Sequence, residues 1–397
     1  MTPLFRKFLG LNWLLLINVI GLLLWGIYAI YNASSFRENV ALANKWRDQA
    51  QWAALGLVIF FTVALVDYKW VRFGAWAIYA IGLLGLLALK FTHLGLNRNG
   101  AVSWLKVGPI VMEPSQVAIM GVILALAVVL GEMHRLIPAF RYHWLRLAAS
   151  LVLAVIPMLM VLTQPDLGSA AVYGPVLISM LLLANIPYRY LITLALLVLT
   201  ALPLAYFFKL KPYQRMRIEV FYKMLTNQKV NILGDAYMAD KVQLAVGSAG
   251  LEGKGPMSVK VPDRHSVHRT FYSETESIND FIFSVIVEEF GFQGAVLQIA
   301  ATAFLLLQCI FVAFYARDHV GRLLVVGVTG MIGAHSFQNM GMNELMMPIT
   351  GIPLPFISYG GTFLVVCFFL MGMVQSVWVH RNISPVKNTR DDDDDAM

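Results

Sequence analysis

Uninterrupted apolar runs, each long enough to cross roughly 30 Å of hydrocarbon as a helix, recur along the whole chain. Ten are predicted, at 11–33, 51–66, 73–89, 114–131, 147–163, 169–185, 191–208, 291–315, 323–342 and 362–379. Polar segments separate them, and one, 209–290, is far longer than the rest. It is too long for a simple turn and too short for a comfortable soluble domain. Within it, 212–225 places Ile218, Phe221, Tyr222 and Leu225 on one face and Arg215, Glu219 and Lys223 elsewhere, which predicts a helix lying in the membrane interface. Segment 235–246 predicts a second short helix, closed by Gly247-Ser-Ala-Gly250. A loop of this kind is expected to cap a site. The pattern predicts an all-α integral membrane protein, a single polytopic domain of ten transmembrane helices over 1–397. The long loop is expected outside the cell, between helices seven and eight, and 380–397 is expected to form a cytoplasmic tail.

Composition agrees with lipid as the main solvent: 58% of residues are apolar and 13% charged, with a mean hydropathy of +0.68. Ordinary soluble domains carry roughly 25% charged residues. The formal charge of +7 includes the acidic run Asp391–Asp395, so the body is more basic still. That suits an anionic membrane surface, and no nucleic-acid partner is expected. Cys309 and Cys367 lie inside apolar runs, which excludes a disulfide framework. Arg6 and Lys7 precede the first span, but no small-residue cleavage pattern follows it, so it is not a cleavable signal.

Charge bias orients the bundle. With both termini cytoplasmic, the inner segments carry Arg6, Lys7, Lys69, Arg72, Arg135, Arg141, Arg146, Arg189, Arg317, Arg322, Arg381, Lys387 and Arg390. The short outer loops carry only Arg37, Lys45, Arg47, Lys90, Arg98 and Lys106. The excess inside predicts cytoplasmic termini in a plasma membrane.

Ionisable groups at membrane depth are costly and face a bundle interior or a cavity. Glu113-Pro114-Ser115 opens span four, where a carboxylate near the positive end of a helix is also an ordinary start signal. Gln164-Pro165-Asp166-Leu-Gly168 joins spans five and six, and Asp166 either caps span six or lines a site. Asn279-Asp280-Phe-Ile-Phe precedes Glu288-Glu289, and three carboxylates on one short helix, opposite Arg215, Arg217 and Lys254, exceed what capping requires. Pro348, Pro353 and Pro355 break any helix before Ser358-Tyr-Gly-Gly361, and a broken element at this depth predicts a re-entrant or cavity-lining segment over 348–361. His335 and Gln338 read as inter-helix hydrogen bonds, and His265 and His268 as solvated surface. No phosphate-binding loop, HExxH, CxxC pair or dinucleotide fingerprint occurs.

Several of these motifs together resemble the SEDS family (shape, elongation, division and sporulation proteins). They are Tyr213-Gln-Arg-x-Arg217, Gly247-Ser-x-Gly-Leu-x-Gly-Lys-Gly255, Asn279-Asp280-Phe-Ile-Phe with Glu288-Glu289-x-Gly291, and Gly351-Ile-Pro-Leu-Pro-Phe-Ile-Ser-Tyr-Gly-Gly361. Glu113-Pro-Ser115 and Gln164-Pro-Asp-Leu-Gly168 match in the right order, and the short termini favour the RodA branch. The resemblance departs at Ser103, Gln116 and Ile119, where the family usually has Arg, Glu and Lys. It departs also at Ile278-Asn279, where the family has His-Thr, and at Lys241-Val242, where it has Gln-Ser.

The resemblance implies a glycosyltransferase that polymerises lipid II into glycan strands and works with a class B penicillin-binding protein. In the implied reaction an acceptor hydroxyl displaces undecaprenyl diphosphate, which calls for one general base and a cationic clamp. Asp280 is the expected base. Arg215, Arg217 and Lys254 are the expected clamp, with Glu113, Asp166, Glu288 and Ser358 as further substrate-binding candidates. The one cofactor implied is a divalent cation, magnesium or manganese, held by carboxylates such as Asp166. A catalytically weak scaffold for the penicillin-binding protein, or a flippase for the lipid-linked precursor, are the alternative readings.

Overall fold

In the computed structural model, residues 3–34, 40–92, 95–98, 101–108, 110–208, 212–226, 228–231, 234, 236–256, 266–272 and 275–381 are described. The acidic run Asp391–Asp395 and His265 lie outside them. The apolar runs become helices, with boundaries set mainly where Pro, Gly or a charge ends the run. The first half contains α1 Pro3–Leu9, α2 Trp13–Ser34, α3 Val40–Ala43, α4 Lys45–Leu65, α5 Val71–Phe91, α6 Pro114–Gly131, α7 Met133–Leu136, α8 His143–Thr163 and α9 Leu167–Leu183. The second half contains α10 Tyr188–Phe208, α11 Pro212–Leu225, α12 Tyr237–Gly247, α13 Val267–Phe271, α14 Ile282–Phe314, α15 His319–Asn343 and α16 Gly361–Val379.

Eight described helices are long and apolar enough to cross a membrane, namely α2, α4, α5, α6, α8, α14, α15 and α16; α9 is a shorter apolar helix, and the Tyr188–Thr200 part of α10 is apolar too. The chain is thus a multi-pass membrane protein. Helix α6 is apolar all round and almost wholly buried, the signature of a central helix, and packs against α5, α8, α9 and α15.

An all-helical reading misses one element. Strands β1 Gly95–Arg98, β2 Ala101–Val107 and β3 Ile110–Met112 form a small antiparallel sheet between α5 and α6, with Gly95 opposite Leu105 and Leu105 opposite Met112. The expected interfacial helix is α11, and one residue of its predicted apolar face, Phe221, lines a cavity instead. Tyr222 and Leu225 are exposed, while Met216, Arg217, Val220 and Phe221 turn towards a cavity.

Helix α14 is broken at Gly291 (φ 65°, ψ −160°), leaving a short buried helix before the long apolar one. The Gly250–Gly255 loop is spliced into this break. Lys254 N–H donates to the Glu288 carbonyl (2.9 Å) and Gly255 N–H to that of Glu289 (2.9 Å), while Phe292 N–H donates to the Gly250 carbonyl (2.9 Å). The loop therefore satisfies backbone groups that the kink would leave orphaned. A Cβ on Gly253 would lie 2.3 Å from the Glu289 carbonyl oxygen, so only glycine permits the approach.

Candidate functional site

Four chain segments that each precede a helix converge at one end of the bundle. They are Glu113 before α6, Asp166 before α9, Asp280 before α14, and 347–360 before α16. With α11 and α12 they enclose a cavity of about 630 Å³ lined by Glu113, Asp166, Arg217, Glu276 and Asp280, among other residues. The sequence order alone keeps these groups far apart; the helix starts bring them together.

Asp280 is held from the backbone side. Its carbonyl accepts from Asn339 Nδ2 (2.9 Å) and Asn343 Nδ2 (3.2 Å), both on α15, and Asn339 also donates to the Ile352 carbonyl (2.7 Å). Gly351 (φ +73°) lies against the carboxylate, where a Cβ would sit 3.1 Å from Oδ2. The residue capping α14 is Phe281, which makes no side-chain cap bond, and the Asp280 carboxylate makes no hydrogen bond to a described residue. The capping explanation of Asp280 therefore fails. Burial, with the nearby Glu276 and Asp166 carboxylates adding to it and Arg217 opposing it, pushes the Asp280 carboxyl up to about 7.

Asp166 does both things the sequence allowed. Its Oδ1 accepts from Ser169 N–H (2.9 Å) at the start of α9, and the side chain lines the cavity. Burial raises it above the usual carboxylate range, against the Ser169 hydrogen bonds and Arg217. Glu113 accepts from Ser115 Oγ (2.7 Å) and Gln116 Nε2 (3.0 Å) and is pushed up to about 7, by burial first and by Asp166 second. Gln116, a departure from the resemblance, is thus a donor to a cavity carboxylate. Ser103 lines the cavity too, while Ile119 is buried in the α6 packing and Lys241 pairs with Asp240 (2.9 Å).

The cationic clamp expected from the sequence is reduced to one member. Arg217 lines the cavity and donates to the Ile349 carbonyl (3.2 Å); Arg215 and Lys254 do not line it. Lys254 instead pairs with Glu288 at 2.7 Å. Glu288 is no substrate group in this geometry. It is buried and accepts from Val267 N–H (2.7 Å), His268 N–H (3.0 Å) and Lys254, with His268 Nδ1 at 2.8 Å. It ties the spliced loop and α13 to α14. The three carboxylates therefore do not act as one group: Asp280 lines the cavity, whereas Glu288 is held by the loop and α13. His268 is likewise buried rather than solvated, because Glu288 compensates it.

Ser358 also holds structure. Its Oγ donates to the Asn279 carbonyl (2.6 Å) and accepts from Leu354 N–H (2.7 Å), and Tyr359 N–H donates to the Ile278 carbonyl (2.9 Å). These bonds lash the proline-broken 348–360 segment to the residues before Asp280. From the other side His335 Nδ1 lies 3.3 Å from the Pro353 carbonyl and Gln338 Nε2 donates to Thr350 Oγ1 (2.9 Å), so both tie α15 to this loop rather than to a second helix as expected. Two polar residues that sequence reading passed over complete the frame: Asn343, one turn after Asn339, and Gln49, which bonds the Ser358 carbonyl and Gly360 N–H. Asn343 was legible from its four-residue spacing; Gln49 had no such signal.

Carboxylate oxygens are suitable hard-cation ligands, but among the described residues no three His, Cys, Asp or Glu side chains converge as a ligand set. The acids around the cavity therefore do not fit a preformed divalent site.

Residues 12–383 match the cell cycle protein family that comprises FtsW, RodA and SpoVE. The chain is 28% identical over 369 residues to peptidoglycan glycosyltransferase MrdB of Escherichia coli (strain K12), covering 93% of this chain and 94% of that one. It is 31% identical over 376 residues to probable peptidoglycan glycosyltransferase FtsW of Geobacter metallireducens, covering 91% and 93%. Among solved structures, Thermus thermophilus rod shape determining protein RodA superposes with a TM-score of 0.65 at 26% identity, covering 94% of this chain and 98% of RodA.

Proposed function

This chain belongs to the FtsW/RodA/SpoVE family, and from that premise we infer that it is a peptidoglycan glycosyltransferase that polymerises lipid II during cell-wall elongation. The observation that carries the mechanism is a carboxylate, Asp280, fixed by its backbone, free of capping duty and facing a cavity beside Arg217.

The acceptor sugar hydroxyl loses its proton to Asp280 as its oxygen bonds the anomeric carbon of the donor. The bond from that carbon to the undecaprenyl diphosphate oxygen breaks, and the electron pair leaves with the diphosphate. A base whose pKa lies near 7 is well matched to this step at neutral pH. The diphosphate is a good leaving group, so it needs charge neutralisation more than a proton, and Arg217 is the cavity cation among the described residues that supplies it. Glu113 and Asp166, whose carboxyls burial raises above the usual range, serve as hydrogen-bonding groups to sugar hydroxyls. The rim helix α11 exposes Tyr222 and Leu225, which suits a substrate that enters from lipid.

The partner is a class B penicillin-binding protein, and the membrane is the bacterial plasma membrane with both termini cytoplasmic. The Lys/Arg bias and the family's resemblance support these assignments. Purified protein with its partner, incubated with lipid II, is expected to form glycan polymer resolvable on a gel. Translocation of lipid II in proteoliposomes without polymer would favour the flippase reading. Growth support that survives loss of the Asp280 carboxylate would favour the scaffold.

A further inference from the structure

The end of the bundle opposite the cavity carries a second polar cluster. Helix α6 starts at the cavity and ends 18 residues later, roughly 27 Å away at 1.5 Å per residue. There His134 and Arg135 on α7, Arg141 in the following turn, His143 and Arg146 at the start of α8, and His319 and Arg322 at the start of α15 come together. Arg146, Arg135 and Arg141 all act electrostatically on His134, and Arg146, Arg135 and Arg322 act on His319.

Three observations set this cluster apart from an ordinary basic surface. Arg146 is only 6% exposed, an unusual place for a guanidinium without a carboxylate. Its Nη2 donates to His143 Nδ1 (2.6 Å), yet its Nε–H has no hydrogen-bond partner. His134 Nδ1 and His319 Nε2 are likewise enclosed without partners. Finally, the neighbouring acids are committed elsewhere. Glu132 pairs with Arg72 (3.4 Å), and Asp318 accepts from Gly321 N–H (2.8 Å) and Tyr68 Oη (2.7 Å). Among the described residues no carboxylate pairs with Arg135, Arg141, Arg146 or Arg322.

We propose that this cluster binds the phosphate of an anionic phospholipid headgroup in the leaflet at that end of the bundle. A guanidinium and imidazoles with unmet hydrogen-bonding capacity suit a phosphate, which accepts from several donors at once. The lipid source is favoured by what surrounds the cations. Leu136, Ile137, Tyr142 and Trp144 are all exposed immediately beside them, an apolar and aromatic rim of the kind that sits at a membrane interface. Basic pockets between helix ends on the inner side are a recurrent headgroup-binding geometry. Like charges held together without an acid raise the free energy of the unliganded protein, and a bound phosphate offsets that repulsion. Burial and the three guanidiniums also keep His134 below its usual range, so Arg146 and the exposed arginines supply the charge.

The test extracts full-length protein from vesicles of phosphatidylcholine doped with phosphatidylglycerol and counts retained lipid by native mass spectrometry. Wild type is expected to retain phosphatidylglycerol selectively. Replacing the exposed Arg135, Arg141 and Arg322 together with Gln, which disturbs no buried group, is expected to lower retention at least about tenfold. Arg146→Lys is expected to retain more than Arg146→Gln. Equal retention by wild type and the triple variant overturns the proposal. Complete displacement of phosphatidylglycerol by millimolar inorganic phosphate assigns the site to a soluble anion and overturns the lipid source. Capture that occurs only after Asp391–Asp395 are changed to Asn makes the acidic tail the occupant, and overturns it too.

Discussion

As the proposed base, Asp280 makes opposite demands on stability and activity, and pH separates them. Its folded-state pKa is raised, from 3.8 to about 7, because burial penalises the charge more than Arg217 relieves it. The folded protein therefore binds more protons than the unfolded chain between those values. The stabilisation from this group is complete below about 3.8 and is lost as pH rises through about 7. Activity runs the other way, since a base must be deprotonated. Polymerisation by wild type is expected to rise through an acidic limb with a midpoint near 7, measured as initial rate against pH on lipid II. Asp280→Asn is expected to lower the rate roughly 10²-fold or more, with unchanged or improved thermal stability near neutral pH. Near-normal polymer from that variant would move the base to Asp166. At Arg217, Lys preserves charge but not the planar fork, so Arg217→Lys is expected to retain more activity than Arg217→Ala. Lys254→Ala, away from the cavity, is expected to act on melting temperature rather than on the chemical step. Equal loss of rate at matched stability for the Arg217 and Lys254 alanine variants would return Lys254 to the clamp.

At the scale of elements, the interlock of the Gly250–Gly255 loop with the break in α14 is the joint on which the Asp280 segment rests. Gly253→Ala must push either the loop or the Glu289 carbonyl away, because the new Cβ would lie 2.3 Å from that oxygen. A loss of about 1–3 kcal/mol in unfolding free energy is expected, with activity falling alongside it. Gly21→Ala, where nothing lies within 4 Å, is the neutral control. Comparable melting temperatures for the two variants would show that the loop is not wedged in the kink. The sequence displayed the glycines and the lysine of this loop, and placed the start of span eight at Gly291, but it could not display their pairing. Backbone–backbone bonds between segments 34 to 42 residues apart leave no side-chain pattern. The small sheet was more legible than the all-helical reading allowed. Strands β1 and β2 are separated by two residues, Asn99-Gly100, the strongest short hairpin signal, and were masked by the weight of apolar helices around them. Asp280, Asp166 and Glu113 were legible because charge near membrane depth is rare. Glu288 and Lys254 were misplaced because helical spacing gives a direction only when the helix axis is known.

Across the whole molecule, charge is divided between two ends. The cavity end holds Glu113, Asp166, Glu276 and Asp280 against Arg217, and the far end holds Arg135, Arg141, Arg146 and Arg322 with their acids already engaged. Helices α6, α8 and α15 connect the two directly: α6 begins beside Glu113, α8 ends just before Asp166, and α15 ends at Asn343, which bonds Asp280. The cationic end is the one that the Lys/Arg bias assigns to the cytoplasm, and the terminal helix α16 ends near it, where His380 feels Asp67, Lys7 and Lys69. A substrate whose sugars lie outside the cell requires the cavity to open there, so the two polarities must agree in one orientation. Reporter fusions after residue 140 and at the C-terminus are accordingly expected to read cytoplasm, and one near residue 255 is expected to read outside. Removing the arginines of the cationic end should weaken this orientation without touching the cavity. If a fusion near residue 255 reads cytoplasm, the cavity faces the compartment where no glycan strand is assembled, and the polymerase mechanism built on Asp280 cannot hold.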